Sequence, residues 1–362
     1  MRSVSYAVIS WTLWSLALYL TLPYLSPAIE HSINNTLFVG PLYIISSGIG
    51  SLSLLALERH VKLLSTLGLT LSGLGLLMIG VDANQLLTVI GFIFYNLYWL
   101  SVPIFYHLLS EEEGSLAKVW SLSMVPAIIM PIIAGILIRW GEIVIFVLGG
   151  LLQLSSSVIL IFASPRIHED YTVDYDVGIP KNVIFVVLPL SIVLPFLYLD
   201  VRQSLIWLIY SSGQILGILI SWFLWKSKNA IMLSLIIFSG IILSLLSPIG
   251  MLFYGSSEAL VALGIEKSRP SLMKQAIKVA FTEAMVWTFG FTIGSLLYYI
   301  SSFLPFVYSS LVSLILAIII GLFSGLTFDD KISYNVLKNV AHLEIRRYLT
   351  LLEGIFPYFK IS

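Results

Sequence analysis

Two carboxylates stand alone in apolar stretches of this chain. Glu258 sits in "MLFYGSSEALVALGIEK", Met251 to Lys267, with no Lys or Arg within eight residues on either side. Glu283 sits in "KVAFTEAMVW", five residues after Lys278 and one helical turn before Trp287. Inserting an acid at the centre of a membrane helix costs about 3 kcal/mol, so an acid kept there faces a cavity or a partner. The chemistry it offers is reversible protonation or pairing with a cationic group. A hydrogen bond to a neighbouring helix satisfies Glu258 without any such role, and a water-filled vestibule or a nearby base does the same for Glu283.

Other polar and aromatic residues fall at the middle of apolar runs. Trp14 and Tyr19 lie in the first, Tyr95, Asn96 and Trp99 in the fourth, Tyr210 and Gln214 in the eighth, and Tyr254 in the tenth beside Glu258. Asn and Gln there either line a cavity or bond between helices for about 1 kcal/mol. Trp and Tyr also gather in interfacial belts, as Trp140 and Trp225 near run ends illustrate.

Several chemistries have no residues to carry them. The five histidines, His31, His60, His107, His168 and His342, lie in loops, run ends or the tail, and none stands in an H-E-x-x-H spacing. No G-x-x-x-x-G-K-[ST] loop occurs, so nucleotide hydrolysis is not expected. There is no cysteine, hence no disulfide framework or thiolate catalysis. No cofactor, metal, enzyme activity or nucleic-acid partner is expected.

These residues need elements to hold them, and the composition says which. The 362 residues are 58% hydrophobic and 10% charged, with a mean hydropathy of +0.99. Soluble domains carry about 25% charged residues, so the chain is read as an all-α membrane protein. The first apolar run, residues 5–29, outlasts the roughly 7–15 residues of a signal-peptide core and reads as a retained helix.

A crossing needs about 20 apolar residues. Runs of that kind lie at 5–29, 36–56, 62–80, 85–107, 117–138, 142–163, 182–199, 204–225, 230–247, 250–265, 277–299 and 304–326. The ninth and tenth are separated because a single helix over 231–265 would reach about 50 Å, and "SPIG", Ser247 to Gly250, supplies a turn. With the N-terminus placed in the cytoplasm, 17 of the 19 Lys and Arg fall on the cytoplasmic side, leaving Arg139 and Arg202 outside. One helix more or fewer would destroy that asymmetry. Twelve transmembrane helices with both termini cytoplasmic are expected.

The chain also repeats. "AKVWSLSMVPAIIMPIIAGIL", Ala117 to Leu137, lies over "IKVAFTEAMVWTFGFTIGSLL", Ile277 to Leu297, without gaps at an offset of 160. This pairs the fifth run with the eleventh, as a duplication of six helices requires. The expected organisation is a six-helix bundle at 1–163, a cytoplasmic loop at 164–181, a second six-helix bundle at 182–326 and a tail at 327–362. The tail has apolar residues at near-helical spacing opposite Lys338, Glu344, Arg346 and Arg347, which suits a helix on the membrane surface or on the protein's own underside.

Two pseudo-symmetric six-helix bundles with a central loop and cytoplasmic termini resemble the major facilitator superfamily over residues 1–326. "LLALERHVK", Leu54 to Lys62, is similar to the loop G-x-x-x-D-R-x-G-R/K after the second helix, keeping Glu58, Arg59 and Lys62 and lacking both glycines. The resemblance implies that this loop latches the two halves by charge pairing. It is equally a short charged loop obeying the positive-inside rule. In the fifth run Pro131 and Gly135 match a G-P-x-x-G-G packing motif, with Ala134 in place of one glycine. The fourth run has no Arg, unlike proton-driven drug exporters of the superfamily.

The resemblance further implies that helices 1, 4, 7 and 10 line a transport cavity, with 2, 5, 8 and 11 beside them. Glu258 and Glu283 then become proton-coupling candidates. Trp14, Tyr19, Tyr95, Asn96, Trp99, Tyr210, Gln214, Tyr254 and Trp287 become cavity candidates. The expected function is a secondary active transporter, a permease or efflux protein of the plasma membrane. It would move a small neutral, amphipathic or cationic organic solute by alternating access, coupled to protons and acting as a monomer. An uncoupled facilitator, a lipid-type flippase, or a non-transporting receptor or scaffold are the alternatives.

Overall fold

In the computed structural model the described residues are 2–81, 84–110, 116, 119–120, 125, 128–163, 180–197, 199, 204–224, 229–268 and 272–324, with the backbone alone at 2–3, 58–59, 204–207, 221–224, 258–260 and 323–324. Among these residues the secondary structure is helical throughout, without strands. The helices are α1 (Arg2–Ile33), α2 (Thr36–Leu57), α3 (Val61–Val81), α4 (Gln85–Leu109), α5 (Met130–Trp140) and α6 (Glu142–Ala163). They continue with α7 (Lys181–Leu197), α8 (Ser204–Leu224), α9 (Ala230–Leu245), α10 (Gly250–Lys267), α11 (Met273–Ile300) and α12 (Leu304–Ser324). Seven of them, α1 to α4, α6, α11 and α12, hold stretches long and apolar enough to cross a membrane.

Local chemistry explains where helices stop. Asn34 ends α1 in the left-handed conformation at φ 55°, which Asn adopts more readily than most residues. The side chains of Asn35 and Asn84 cap the next starts by accepting from the backbone N–H of Leu37 and Leu87 at 3.0 and 2.9 Å. Gly141 turns the chain from α5 into α6 at φ 106°, a backbone that favours glycine. The turn expected at "SPIG" is present. The N–H of Gly250 donates to Ser247 O at 3.1 Å, and that of Met251 to Pro248 O at 3.0 Å.

Not every helix is uniformly wound. α4 tightens to a 3-10 helix over Asn96–Ser101 before resuming as α-helix at Val102–Leu109. A 3-10 stretch, Leu54–Arg59, begins within the last turn of α2 and runs past it, and α9 ends in another, Gly240–Leu245.

By contacts the chain divides into two units, Met1–Ala317 and Ile318–Ser362. Of the second, the described part is residues 318–324, the end of α12. Within the first, α1 and α3 pack on α6, α3 on α4, α7 and α2 on α11, and α8 and α9 on α10. Lipid-facing surfaces leave no hydrophobic driving force between helices, so close backbone approach and hydroxyl bonds hold them together. Ser10 and Ser156 each donate to the other's carbonyl, at 2.8 and 2.7 Å, joining α1 to α6. Ser72 donates to Tyr95 O at 2.6 Å, and Gln153 Nε2 to Ser72 Oγ at 2.6 Å, tying α3 to α4 and α6. The packing expected of the Pro131 region centres on Ala134, buried against Leu20 of α1 and Ile145 of α6. Pro131 is buried and Gly135 half-buried.

The offset of 160 reappears in these contacts. A Cβ on Gly149 would meet Thr21 of α1, and its counterpart Ser309 donates to Pro189 O of α7 at 2.6 Å. A Cβ on Gly150 would meet Leu77 and Gly73 of α3, and its counterpart Ser310 bonds Ser239 O of α9. Gln153 bonds Ser72 of α3, and its counterpart Ser313 donates to Leu235 O of α9 at 2.6 Å. Three positions of α6 thus have counterparts in α12, the former facing α1 and α3 and the latter α7 and α9.

Tight backbone contact sets the α8–α10 pair. A Cβ on Gly255 would lie 2.2 Å from Tyr210 O, and one on Gly213 would lie 2.2 Å from Leu252 O. Both obstacles are backbone and cannot swing aside. Gly255→Ala is therefore expected to lower unfolding stability in detergent by about 1–3 kcal/mol. Gly48→Ala, whose Cβ meets nothing nearer than Thr288 Cγ2 at 3.8 Å, is expected to stay within about 0.5 kcal/mol. Equal melting temperatures for the two variants would contradict this reading of the α8–α10 contact.

Candidate functional site

The 3-10 stretch of α4 has three residues per turn, so side chains three apart stack on one ridge. Asn96, Trp99 and Val102 form one ridge and Tyr95 and Tyr98 another, and all five line a cavity of about 130 Å³. From α1 the cavity receives Trp14 and Tyr19, and from α2 it receives Tyr43 and Ser47. The opposite wall consists of Leu190 and Leu194 of α7, Tyr254 and Val261 of α10, and Glu283, Trp287 and Phe291 of α11.

Eight of the residues singled out in the sequence therefore meet around one space: Trp14, Tyr19, Tyr95, Asn96, Trp99, Tyr254, Glu283 and Trp287. Two do not reach it. Tyr210 is fully buried and stacks on Tyr254 with ring centroids 6.1 Å apart, behind the cavity wall. Gln214 is fully buried on α8, where its Nε2 lies 3.4 Å from the Tyr210 hydroxyl. The α10 backbone places Glu258 one turn after Tyr254 and one turn before Val261, both cavity residues. The Glu258 side chain lies outside the described residues. The latch side chains Glu58 and Arg59 do too; their backbone ends the 3-10 stretch after α2, and Lys62 is exposed on α3.

Glu283 is 4% exposed. The Tyr106 hydroxyl of α4 donates to its Oε2 at 2.5 Å, and Trp287 follows one turn along α11. A carboxylate has about four acceptor sites, so this bond leaves room for further donors. Asn96 is placed differently. Its Nδ2 donates to Ser46 Oγ of α2 and to Phe92 O, both at 3.1 Å. Both donors being used, the amide oxygen is what Asn96 has to offer the cavity.

An aromatic cluster backs the α1 wall. Trp11 meets Trp14 and Trp120 at centroid distances of 4.8 Å and Phe105 at 5.1 Å, each edge to face. Edge-to-face contacts of this kind hold ring orientations beyond what burial alone does.

The cavity spans elements far apart in sequence. Besides the Tyr106–Glu283 bond, Ser47 of α2 and Thr288 of α11 are hydroxyl to hydroxyl at 2.8 Å. Tyr43 and Phe291 meet edge to face at 5.2 Å. On another side Ser211 of α8 donates to Ile128 O, just before α5, at 2.7 Å. Sequence reasoning missed Tyr106, Tyr43, Ser47 and Trp120. Tyr106 adjoins His107 at the end of its run, where a tyrosine reads as an interfacial anchor, and nothing local marks its partner 177 residues away.

No family model and no curated protein sequence matches this chain. Solved structures do. The human organic anion transporter MFSD10 (TETRAN) superposes with a TM-score of 0.65 at 9% identity, covering 88% of this chain and 99% of that one. A POT family transporter crystallised with a thioalcohol-conjugated peptide gives 0.59 at 13% identity, over 90% and 96%. The nucleoside transporter NupG gives 0.57 at 13% identity, over 91% and 100%. Identities this low speak to fold, not to what is bound. The chain is a multi-pass membrane protein with the fold of the major facilitator transporters.

Proposed function

We propose that this protein is a secondary active transporter. It carries a small neutral, amphipathic or cationic organic solute by alternating access, coupled to protons, with Glu283 as the coupling group. One observation carries the reading: the buried carboxylate of Glu283 on α11 is bonded across the cavity to Tyr106 on α4. A group that both lines the solute space and ties the two sides together can link its own occupancy to their separation. The two sides are read as six-helix halves, 1–163 and 182–326, joined by a loop at 164–181 and followed by a tail at 327–362. The paired contacts of α6 and α12 at the offset of 160 support that division. Both termini are assigned to the cytoplasm on the Lys and Arg asymmetry, and the protein is assigned to the plasma membrane. Glu258 is kept as a second carboxylate on the cavity-lining turn of α10.

Flux into proteoliposomes under an imposed pH gradient tests the coupling. Glu283→Gln is expected to reduce gradient-driven accumulation at least tenfold, with Glu258→Gln having the smaller effect. The reverse ranking would move coupling to α10. Flux indifferent to the gradient would leave an uncoupled facilitator or lipid flippase, and absence of flux for every solute class would leave a receptor or scaffold.

Tyr106→Phe removes a hydrogen bond to a carboxylate, about 1.5–3 kcal/mol, and so about 10–150-fold in the equilibrium between joined and separated states. The native chain has no cysteine, so spin labels can be placed on cysteines introduced at the exposed positions Leu37 and Leu296. Tyr106→Phe is expected to lengthen or broaden that distance distribution. An unchanged distribution would remove the tying role of the bond.

A further inference from the structure

The cavity wall has a chemistry narrower than the general reading requires. More than half of its lining residues are aromatic. Glu283 is the one carboxylate among the described lining residues, and none of these is Lys, Arg or His. Aromatic faces attract cations by their quadrupole, and rings enclosing a site are the usual host for an ammonium group. A single carboxylate supplies one neutralising charge. Glu283 keeps acceptor capacity beyond Tyr106, and the Asn96 amide oxygen adds a second acceptor.

Trp14 lines the cavity with its ring and is 7% exposed, its indole nitrogen buried away from that space. Size sets a second limit. At about 130 Å³ the space is close to the roughly 150 Å³ cavity that takes a benzene ring, so the occupant in this conformation has about six to eight non-hydrogen atoms.

We propose that the site takes a small organic monocation, its ammonium among the rings and against Glu283. This rests on the transporter reading of the same cavity and names its substrate class. Anions find no positive group among the described lining residues.

Four probes of nearly one shape isolate the charge: choline, propyltrimethylammonium, the neutral 3,3-dimethylbutan-1-ol and the anionic 3,3-dimethylbutanoate. Binding to the purified full chain is read by calorimetry and thermal shift, since a ligand of the native state raises its melting temperature. Choline and propyltrimethylammonium are expected to bind, and the alcohol and the anion not at a hundred times the choline Kd. Glu283→Gln should weaken both cations at least tenfold. The alcohol or the anion binding as well as choline would overturn the proposal, as would a cation preference unaffected by Glu283→Gln. Counterflow with a mixed solute library separates the two levels. Flux of neutral or anionic solutes alone would overturn the cation assignment and leave the transporter reading intact. No flux of any solute by the folded chain would overturn both.

Discussion

Adhesion between helices in an apolar solvent is the constraint from which this structure follows. Lipid competes equally well for apolar side chains, so helices associate only where backbones come close or hydroxyls reach a neighbour's carbonyl. The chain meets this with glycines and serines at the crossings: Gly213 and Gly255 between α8 and α10, and Ser10 and Ser156 between α1 and α6. Such contacts are short-ranged and directional. They fix which helices are neighbours and leave the bulky aromatic residues to the space that the crossings do not fill. The cavity is that remainder, and its aromatic wall follows from the same rule that places small residues elsewhere.

The contacts across the cavity differ in kind from those beside it. Beside it, glycine and serine bring backbones together, as at Gly290, where an added Cβ would overlap Ser191 of α7. Across it, the links are side chain to side chain: Tyr106 with Glu283, Ser47 with Thr288, Tyr43 with Phe291. Side-chain links break and re-form by rotation without disturbing a helix. The side-chain links across the cavity are thus softer than the backbone crossings beside it.

Much of this was legible from residues alone. Helix boundaries followed from hydropathy because a bilayer demands an uninterrupted apolar run, and the turn at Ser247–Gly250 followed from Pro and Gly. Glu283 and Asn96 were legible as polar residues set in apolar segments, where burial without purpose is costly. What Glu283 bonds to was not: Lys278 lies five residues away on the same helix, yet the partner is Tyr106 of α4, across the cavity. Tyr106 was one of 18 tyrosines, and only tertiary packing sets it against Glu283. Gln214 carried the same signal as Asn96 and fell behind the wall, since both sit mid-helix and sequence does not say which way a helix is turned about its axis.

The 3-10 stretch at Asn96–Ser101 has a mechanical corollary. A 3-10 helix rises about 2.0 Å and turns about 120° per residue, against about 1.5 Å and 100° for an α-helix. Over six residues, rewinding to α would shorten α4 by about 3 Å and rotate everything beyond it by about 120° relative to what precedes it. Tyr106 lies beyond this segment and Asn96 opens it. A change of pitch in one cavity-lining stretch would therefore carry the tyrosine off the carboxylate by screw motion, while the far end of the same helix stayed in place.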